Sequence, residues 1–307
     1  MTTRSQSRPE VAPLWHRRRH SLAFILALAA AQGGSAVRAD ITFFDVFKVT
    51  TYNQTSISAP ASVNGYFGAL NVSTNNAADL TGATVAATSP SSPFTLTGSG
   101  LNYSYGTPGF TSKTAFDLTL PNGTAYKFSL TGGNFNGQSA TINTPANDAY
   151  ASTVPYFTNS TFTTLQGFNA NQAITLTFNP FTAAAGVNAP LTFIGINRVS
   201  DGASVFGTSG DNTLSSANIA ANTLQAATKY DLSIVYSDRI STPNAGFGNA
   251  TGFVGYDVRT DLIFTTAAAV PEPSILTLAG VGCLLALGVR AFRAHGRVSK
   301  TPPTPSF

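Results

Sequence analysis

Leu120-Pro121-Asn122-Gly123-Thr124-Ala125-Tyr126-Lys127-Phe128-Ser129-Leu130 turns at Pro-Asn-Gly and then alternates apolar with polar residues. The pattern returns 104 residues later. Leu120, Thr124, Tyr126, Phe128, Ser129 and Leu130 align with Leu224, Thr228, Tyr230, Leu232, Ser233 and Ile234. A period-two alternation bounded by turn residues predicts strands. The same signature covers Ile41 to Val49, Thr114 to Leu120, Ala173 to Phe178, Leu191 to Asn197 and Phe253 to Phe264. Thr131-Gly132-Gly133, Asn179-Pro180 and Asp201-Gly202 supply the turns between them. Ser216 to Ala227, broken by Asn218, Asn222 and Thr223, reads as a loop leading into a strand.

Short strands without long amphipathic helices define an all-β chain. A repeat of about 100 residues fits an immunoglobulin- or fibronectin-like β-sandwich module. The expectation is two such modules in tandem, at 40–150 and 151–269, with the boundary in the Pro- and Asn-bearing stretch from Asn143 to Pro155. In each, the repeated Tyr is expected as a buried ring with its hydroxyl bonded to nearby backbone. The competing reading is that similar strands recur by chance in a chain dense in Thr, Ser, Asn and Gly.

The two ends have a different chemistry. Arg17, Arg18 and Arg19 precede an apolar run from Leu22 to Ala31, and Ser35-Ala36-Val37-Arg38-Ala39 follows. Charge, apolar stretch and small residues in that order make 1–39 a signal peptide, cleaved by signal peptidase between Ala39 and Asp40. At the other end, Val270-Pro271-Glu272-Pro273-Ser274 opens an uncharged run that lasts to Val289. Sixteen helical residues span about 24 Å, and extension to Phe292 brings a helix over 274–292 close to the ~30 Å hydrocarbon core. Arg290, Arg293 and Arg297 then form a basic stop, which places 298–307 in the cytoplasm.

Motif, apolar helix and basic stop over 270–297 together resemble the PEP-CTERM domain of bacterial exported proteins. The resemblance implies that an exosortase-type membrane protease recognises Val270, Pro271, Glu272, Pro273 and Ser274 and processes the chain there. It implies tethering to the inner membrane by the C-terminal helix, followed by release to the cell surface or extracellular matrix.

Composition then narrows the chemistry. Residues 40–270 hold eleven Asp, seven Lys or Arg and no Glu, a net −4 against +4 for the whole chain. The basic excess therefore belongs to the ends, and the body has no electrostatic footprint for nucleic acid. His16, His20, His295, Cys283 and Trp15 all lie outside residues 40–269. A Ser-His-Asp or Cys-His site and a disulfide are excluded from the body, and no cofactor or metal is expected. The reading is a non-catalytic structural or interaction protein. One alternative is a carbohydrate-binding module for exopolysaccharide, and a second is a glycan hydrolase working through Asp alone.

A few residues invite a sharper role. Tyr103 and Tyr105 share a strand face near Phe110 and could stack on sugar. Asp201, Asp211 and Asn212 offer oxygen ligands for Ca²⁺. Asp257, Arg259 and Asp261 alternate onto one face of the last strand, as on an exposed face or a charge-protected edge. Lys48, Lys113, Lys127 and Lys229 are candidates for isopeptide bonds to Asn, which require a buried Lys, an Asn and an acid together; sequence does not place them. Asn53, Asn71, Asn102, Asn122, Asn159 and Asn249 open Asn-x-Ser/Thr triplets, which chance alone produces in such a chain.

Overall fold

The computed structural model describes residues 40–88, 93–248 and 250–269. The signal segment 1–39, the sorting segment 270–297 with its helix 274–292, and the tail 298–307 lie outside the described residues. Thirteen strands are described: β1 (Ile41–Asn53), β2 (Val63–Thr74), β3 (Gly82–Ala87), β4 (Phe94–Ser99), β5 (Asn102–Gly106), β6 (Ala125–Thr131), β7 (Ser139–Asn143), β8 (Ile174–Thr177), β9 (Leu191–Arg198), β10 (Ser204–Asp211), β11 (Ser216–Ile219), β12 (Lys229–Gly246) and β13 (Ala250–Thr265). Two short helices, α1 (Lys113–Thr119) and α2 (Asn159–Leu165), interrupt them.

Eleven strands form one sheet in the order β10–β9–β12–β13–β1–β2–β5–β4–β3–β6–β7, and β11 pairs with β8 in a second, small sheet. β1 and β13 run parallel, from Phe43 opposite Thr251 to Asn53 opposite Asp261. The named neighbours elsewhere in the sheet are antiparallel. The first and last strands of the body therefore meet at its centre.

Apolar side chains gather in two clusters, but the sheet does not divide with them. One cluster holds Phe44, Val46, Leu70, Val72, Phe116, Tyr126 and Phe128 together with Phe247, Val254 and Tyr256. The other holds Phe157, Leu176, Phe178, Ile194 and Ile219 with Tyr230, Leu232, Tyr236, Leu262 and Phe264. β12 and β13 thus feed both cores from different stretches of one hairpin. The expected tandem modules give way to two cores sharing a sheet, because strands of 18 and 16 residues far exceed the ~5–6 typical of one module. The first core is closed by the sheet folding back on itself. A Cβ on Gly246 of β12 would lie 2.3 Å from the Ala140 Cβ of β7.

The repeat is structural as well as sequential. Tyr126 and Tyr230 are both fully buried. The Tyr126 hydroxyl donates to Pro121 O (3.0 Å), and the Tyr230 hydroxyl accepts from Gln225 N (2.8 Å), each five residues upstream. In the first corner Thr124 N donates to Thr144 Oγ1 (3.1 Å), in the second Thr228 N donates to Thr266 Oγ1 (3.0 Å). Both latching hydroxyls donate back to the carbonyl of the same Thr.

Thr114 to Leu120 is a helix rather than the expected strand. As a strand it would put Phe116, Leu118 and Leu120 on one face. The chain instead uses the i, i+4 pair: Phe116 and Leu120 are fully buried while Leu118 is 74% exposed. Ser112 caps the helix by accepting from Ala115 N. Ser216 to Ile219 likewise forms a strand, β11, where a loop was expected, and the rest of that stretch to Ala227 lies outside any strand.

Asp257, Arg259 and Asp261 do share a face, but β13 is neither an edge nor exposed: β1 covers one side and β12 the other. All three are buried. Arg259 Nε donates to Asp261 Oδ1 (2.7 Å), Ser237 Oγ to Asp257 Oδ1 (2.6 Å) and Asn71 Nδ2 to Asp45 Oδ1 (2.6 Å). The Arg239 guanidinium lies 4.9 Å from both the Phe47 and Phe193 ring centres. Burial pushes Asp45 up to about 7, against the Asn71 hydrogen bond and the Arg239 charge, and pushes Asp257 up to about 6.

Two outcomes follow from this packing. Phe116→Ala is expected to destabilise by about 3–5 kcal/mol, and Leu118→Ala by less than ~0.5 kcal/mol, in urea unfolding; equal costs would return the segment to a strand. For Asp45 the folded state favours the neutral acid, so its stabilising contribution is present below the unfolded value near ~4 and lost as pH rises through about 7. Asp45→Asn keeps the acceptor for Asn71 and removes the ionisation. Its advantage over the parent should grow from nothing near pH ~3 to on the order of 4 kcal/mol near pH ~8. A pH-independent difference in melting would contradict this.

Candidate functional site

The densest polar constellation sits where the first core meets α1. Along β1, alternation sends Phe44, Val46 and Lys48 to the same face. Lys48 therefore stands in a core register, and it is fully buried. Its cross-strand neighbours are Gly68 on β2 and Tyr256 on β13. The glycine makes room: a Cβ there would lie 2.2 Å from Leu120 Cδ1 and 3.3 Å from Phe116 Cε2. Phe116 of α1 and Leu120 just after it thus pack directly over the strand beside Lys48, and the same helix carries Lys113 and Asp117 one turn apart.

The chain leaves α1 through Pro121-Asn122-Gly123, with Gly123 at φ +62°, and Gly123 N donates to Pro145 O (2.8 Å). That bond holds the Asn122 turn against the segment following β7, which supplies Asp148. Four chemically distinct groups converge. Lys48 Nζ donates to Asp117 Oδ1 (2.9 Å) and to Asn122 Oδ1 (2.9 Å), with Asp148 Oδ1 at 3.3 Å. Asn122 Nδ2 donates to Asp148 Oδ1 (2.7 Å), and the Tyr256 hydroxyl donates to Asn122 Oδ1 (3.0 Å). Lys113, half-exposed, pairs with both aspartates from the solvent side.

Two cations and two anions balance, which is what permits an ammonium at no solvent exposure. Aromatic rings wall the site: Lys48 Nζ lies 5.2 Å from the Phe116 ring centre, and Tyr150 packs edge-on against Tyr256 at 5.2 Å. Burial pushes Asp148 up, but hydrogen bonds from Asn122 and Lys113 and the two lysine charges outweigh it, leaving the carboxyl below its usual range. Burial and the nearby aspartate charges raise Tyr256 and keep its phenol a proton donor. Chemically, the site holds an amine against a carboxamide, with carboxylates touching both nitrogens and a phenol on the carbonyl oxygen.

Lys127 and Lys229, by contrast, are exposed. Tyr103 is 5% exposed with its hydroxyl donated to Leu80 O (2.8 Å), and Tyr105 packs on Phe94. Tyr103 is a core ring and Tyr105 packs against that core, so the two do not form an open platform for sugar. Asp201 lies in the turn between β9 and β10, and Asp211 ends β10, so a strand of eight residues (~25 Å) separates them. Asp201 binds Arg198, which holds it down at about 2, and Asp211 binds Thr213. Among the described residues no group of three or more His, Cys, Asp or Glu has a metal-holding arrangement. Asn71 and Asn122, both in Asn-x-Ser/Thr triplets, have their amides engaged inside the structure. The sorting residues Val270, Pro271, Glu272, Pro273 and Ser274, the basic stop, and Ala39 lie outside the described residues.

Sequence reasoning named Lys48 and Asn122 without joining them. It missed Asp117, Asp148 and Tyr256 as their partners. The one local signal was Lys48 itself, a charge in the inward register of an otherwise apolar strand.

No curated protein matches the chain. Solved structures that superpose on it include a two-domain fibronectin type III segment of chicken tenascin, with 12% identity, 74% of this chain and 99% of that chain covered, and a TM-score of 0.24. They also include the FN1–FN3 domains of chicken CNTN1, with 10% identity, 76% and 68% covered, and a TM-score of 0.24. Neither superposition is close enough to transfer a topology. Among the described residues no helix is long and apolar enough to cross a membrane. The family comparison is specific to the end of the chain: residues 269–294 match the PEP-CTERM protein-sorting motif, so the chain carries a PEP-CTERM sorting domain there.

Proposed function

We propose that the chain is an exported, non-catalytic structural or interaction protein, delivered to the cell surface or extracellular matrix by its C-terminal sorting motif. The observation that carries this reading is the position of the motif relative to the body. The last strand ends at Thr265, Thr266 latches the second corner, and Ala267 N donates to Phe168 O (2.9 Å). The sorting match begins at residue 269. Cleavage by an exosortase-type protease near Glu272 would therefore release the body without removing any strand. The other end has the same property, since β1 opens at Ile41, beyond the expected signal-peptidase cut between Ala39 and Asp40. In this reading the helix over 274–292 holds the chain in the inner membrane until processing, with Arg290, Arg293 and Arg297 on the cytoplasmic side.

Mass spectrometry of the protein recovered from its native host tests this. The expected polypeptide begins at Asp40 and ends within a few residues of Glu272, and Glu272→Ala should leave the C-terminal segment attached in the membrane fraction. A surface protein retaining Ser274 to Phe307 would replace the processing signal by a permanent tether, and a chain beginning at Met1 in the cytoplasm would end the export reading.

A further inference from the structure

The geometry points to a covalent cross-link: an intramolecular isopeptide bond between Lys48 Nζ and the side-chain carbonyl carbon of Asn122. The two side chains meet through a 2.9 Å contact, 74 residues apart in sequence, one on the central strand of the sheet and one at the corner that follows α1. Every other group the reaction uses is in contact with one of the two nitrogens or the oxygen. Asp148 Oδ1 touches both Lys48 Nζ (3.3 Å) and Asn122 Nδ2 (2.7 Å), so one carboxylate bridges the nitrogen that must lose protons and the nitrogen that must gain one. Asp117 Oδ1 lies 2.9 Å from Nζ. The Tyr256 hydroxyl, 3.0 Å from Asn122 Oδ1, faces the atom where negative charge develops.

The steps balance. The Lys48 ammonium gives one proton to Asp117, and the free amine attacks Asn122 Cγ, forming the N–C bond. The tetrahedral carbon carries its charge on Oδ1 against the Tyr256 hydroxyl. Asp148 takes the second proton from Nζ and returns it to Nδ2, the Cγ–Nδ2 bond breaks, and ammonia leaves. It departs as ammonium with the proton held by Asp117. One ammonium and one carboxamide become one amide and one free ammonium ion, with no oxidant, metal or external nucleophile. Holding the reactants in a shared, walled site replaces an encounter between two weakly reactive groups by an intramolecular step.

The duplicated corner shows that Asn122 is not there to make the turn. In the second corner the equivalent residue is Ala226, and its backbone carbonyl accepts from Thr228 Oγ1 (2.9 Å) as that of Asn122 accepts from Thr124 Oγ1 (3.3 Å). The following residue is left-handed in both, Gly123 at +62° and Ala227 at +51°. Corner, buried Tyr and Thr latch all form with an alanine in that place. The carboxamide is an addition, and it is spent on Lys48, Asp148 and Tyr256.

The test is peptide mapping by tandem mass spectrometry of the full-length chain as exported by its host. The expected result is a branched peptide joining Lys48 to Asn122, with a mass deficit of one ammonia, about 17 Da, and resistance of Lys48 to trypsin. Asn122→Ala should show neither. Because Asn122 precedes Gly123, succinimide formation at that bond also sheds ammonia. A deficit confined to the Asn122 peptide, with Lys48 in a separate linear peptide, would overturn the proposal, as would two linear peptides of full mass. Asp148→Asn, which preserves the side-chain shape, is expected to leave the two residues unjoined. A branched peptide formed to the same extent in that variant would overturn the proton-transfer role of Asp148. The parent map alone decides whether the bond exists, whatever the variants do to folding.

Discussion

The parallel pairing of β1 with β13 is the constraint on which the rest of this body depends. It runs from Phe43 to Asn53 against Thr251 to Asp261, through the middle of the sheet. A parallel pair cannot be closed by a hairpin, so everything between residues 53 and 250 must be folded around it. β2 and its successors extend the sheet on one side, β12, β9 and β10 on the other. Among the described residues, every strand lies between this pair's outer ends, Ile41 and Thr265. The proposed cuts near residues 39 and 272 would therefore fall outside every described strand.

The same central pair fixes the polar site. Because β1 is covered on both sides, Lys48 has no route to solvent along the sheet, and its ammonium must find its partners above the plane. Gly68 leaves space for α1 to approach, Phe116 and Leu120 anchor that helix, and Asp117 and Asn122 arrive over Lys48 as a consequence. A buried charge of this kind costs several kcal/mol if left unpaired. Removing either aspartate leaves an excess cation among aromatic rings, so the cluster ties α1, the corner and the segment at Asp148 to one point on the sheet. The opposite face of the same strands makes a different choice. There Asp45 and Asp257 are buried beside Arg239, and the carboxyls respond by moving toward neutrality.

Much of the local structure was legible in the sequence. The alternation in Ile41 to Val49, Ala125 to Leu130, Leu191 to Asn197 and Phe253 to Phe264 appears as β1, β6, β9 and β13. The spacing of 104 residues identified two matching corners, with both hydroxyls bonded where a buried Tyr requires. Thr114 to Leu120 was misread because Phe116, Leu118 and Leu120 satisfy a period of two while Phe116 and Leu120 alone satisfy a helical one. Only Gly68, 48 residues upstream, leaves the space that favours the helix. The pairing partners were not legible at all. Nothing near Ile41 indicates that it will lie beside a strand more than 200 residues away, so the central hairpin could not be seen to serve two cores. The candidate site was hidden for the same reason, since its six side chains come from four separate parts of the chain.

The two corners separate what folding requires from what it does not. Thr144 and Thr266 latch Thr124 and Thr228 by the same bonds, while the Tyr126 hydroxyl donates to Pro121 O and the Tyr230 hydroxyl accepts from Gln225 N; each set satisfies backbone groups that burial would otherwise leave unpaired. What differs is confined to a few positions. The second corner has Ala226 where the first has Asn122, and it uses Ala227 in a left-handed conformation that Gly123 adopts without a Cβ penalty. The corner geometry is therefore insensitive to the side chain at that position. Placing an amide there gains nothing for the turn and introduces a polar group that must be satisfied in a partly closed site. It bonds to Asp148, to Tyr256 and to a lysine that β1 had no packing reason to contain. Two residues, each unneeded by its own local structure and each costly to bury alone, meet only because the sheet and the corner bring them together. That coincidence, more than any single distance, is why the cluster reads as a site and not as a by-product of packing.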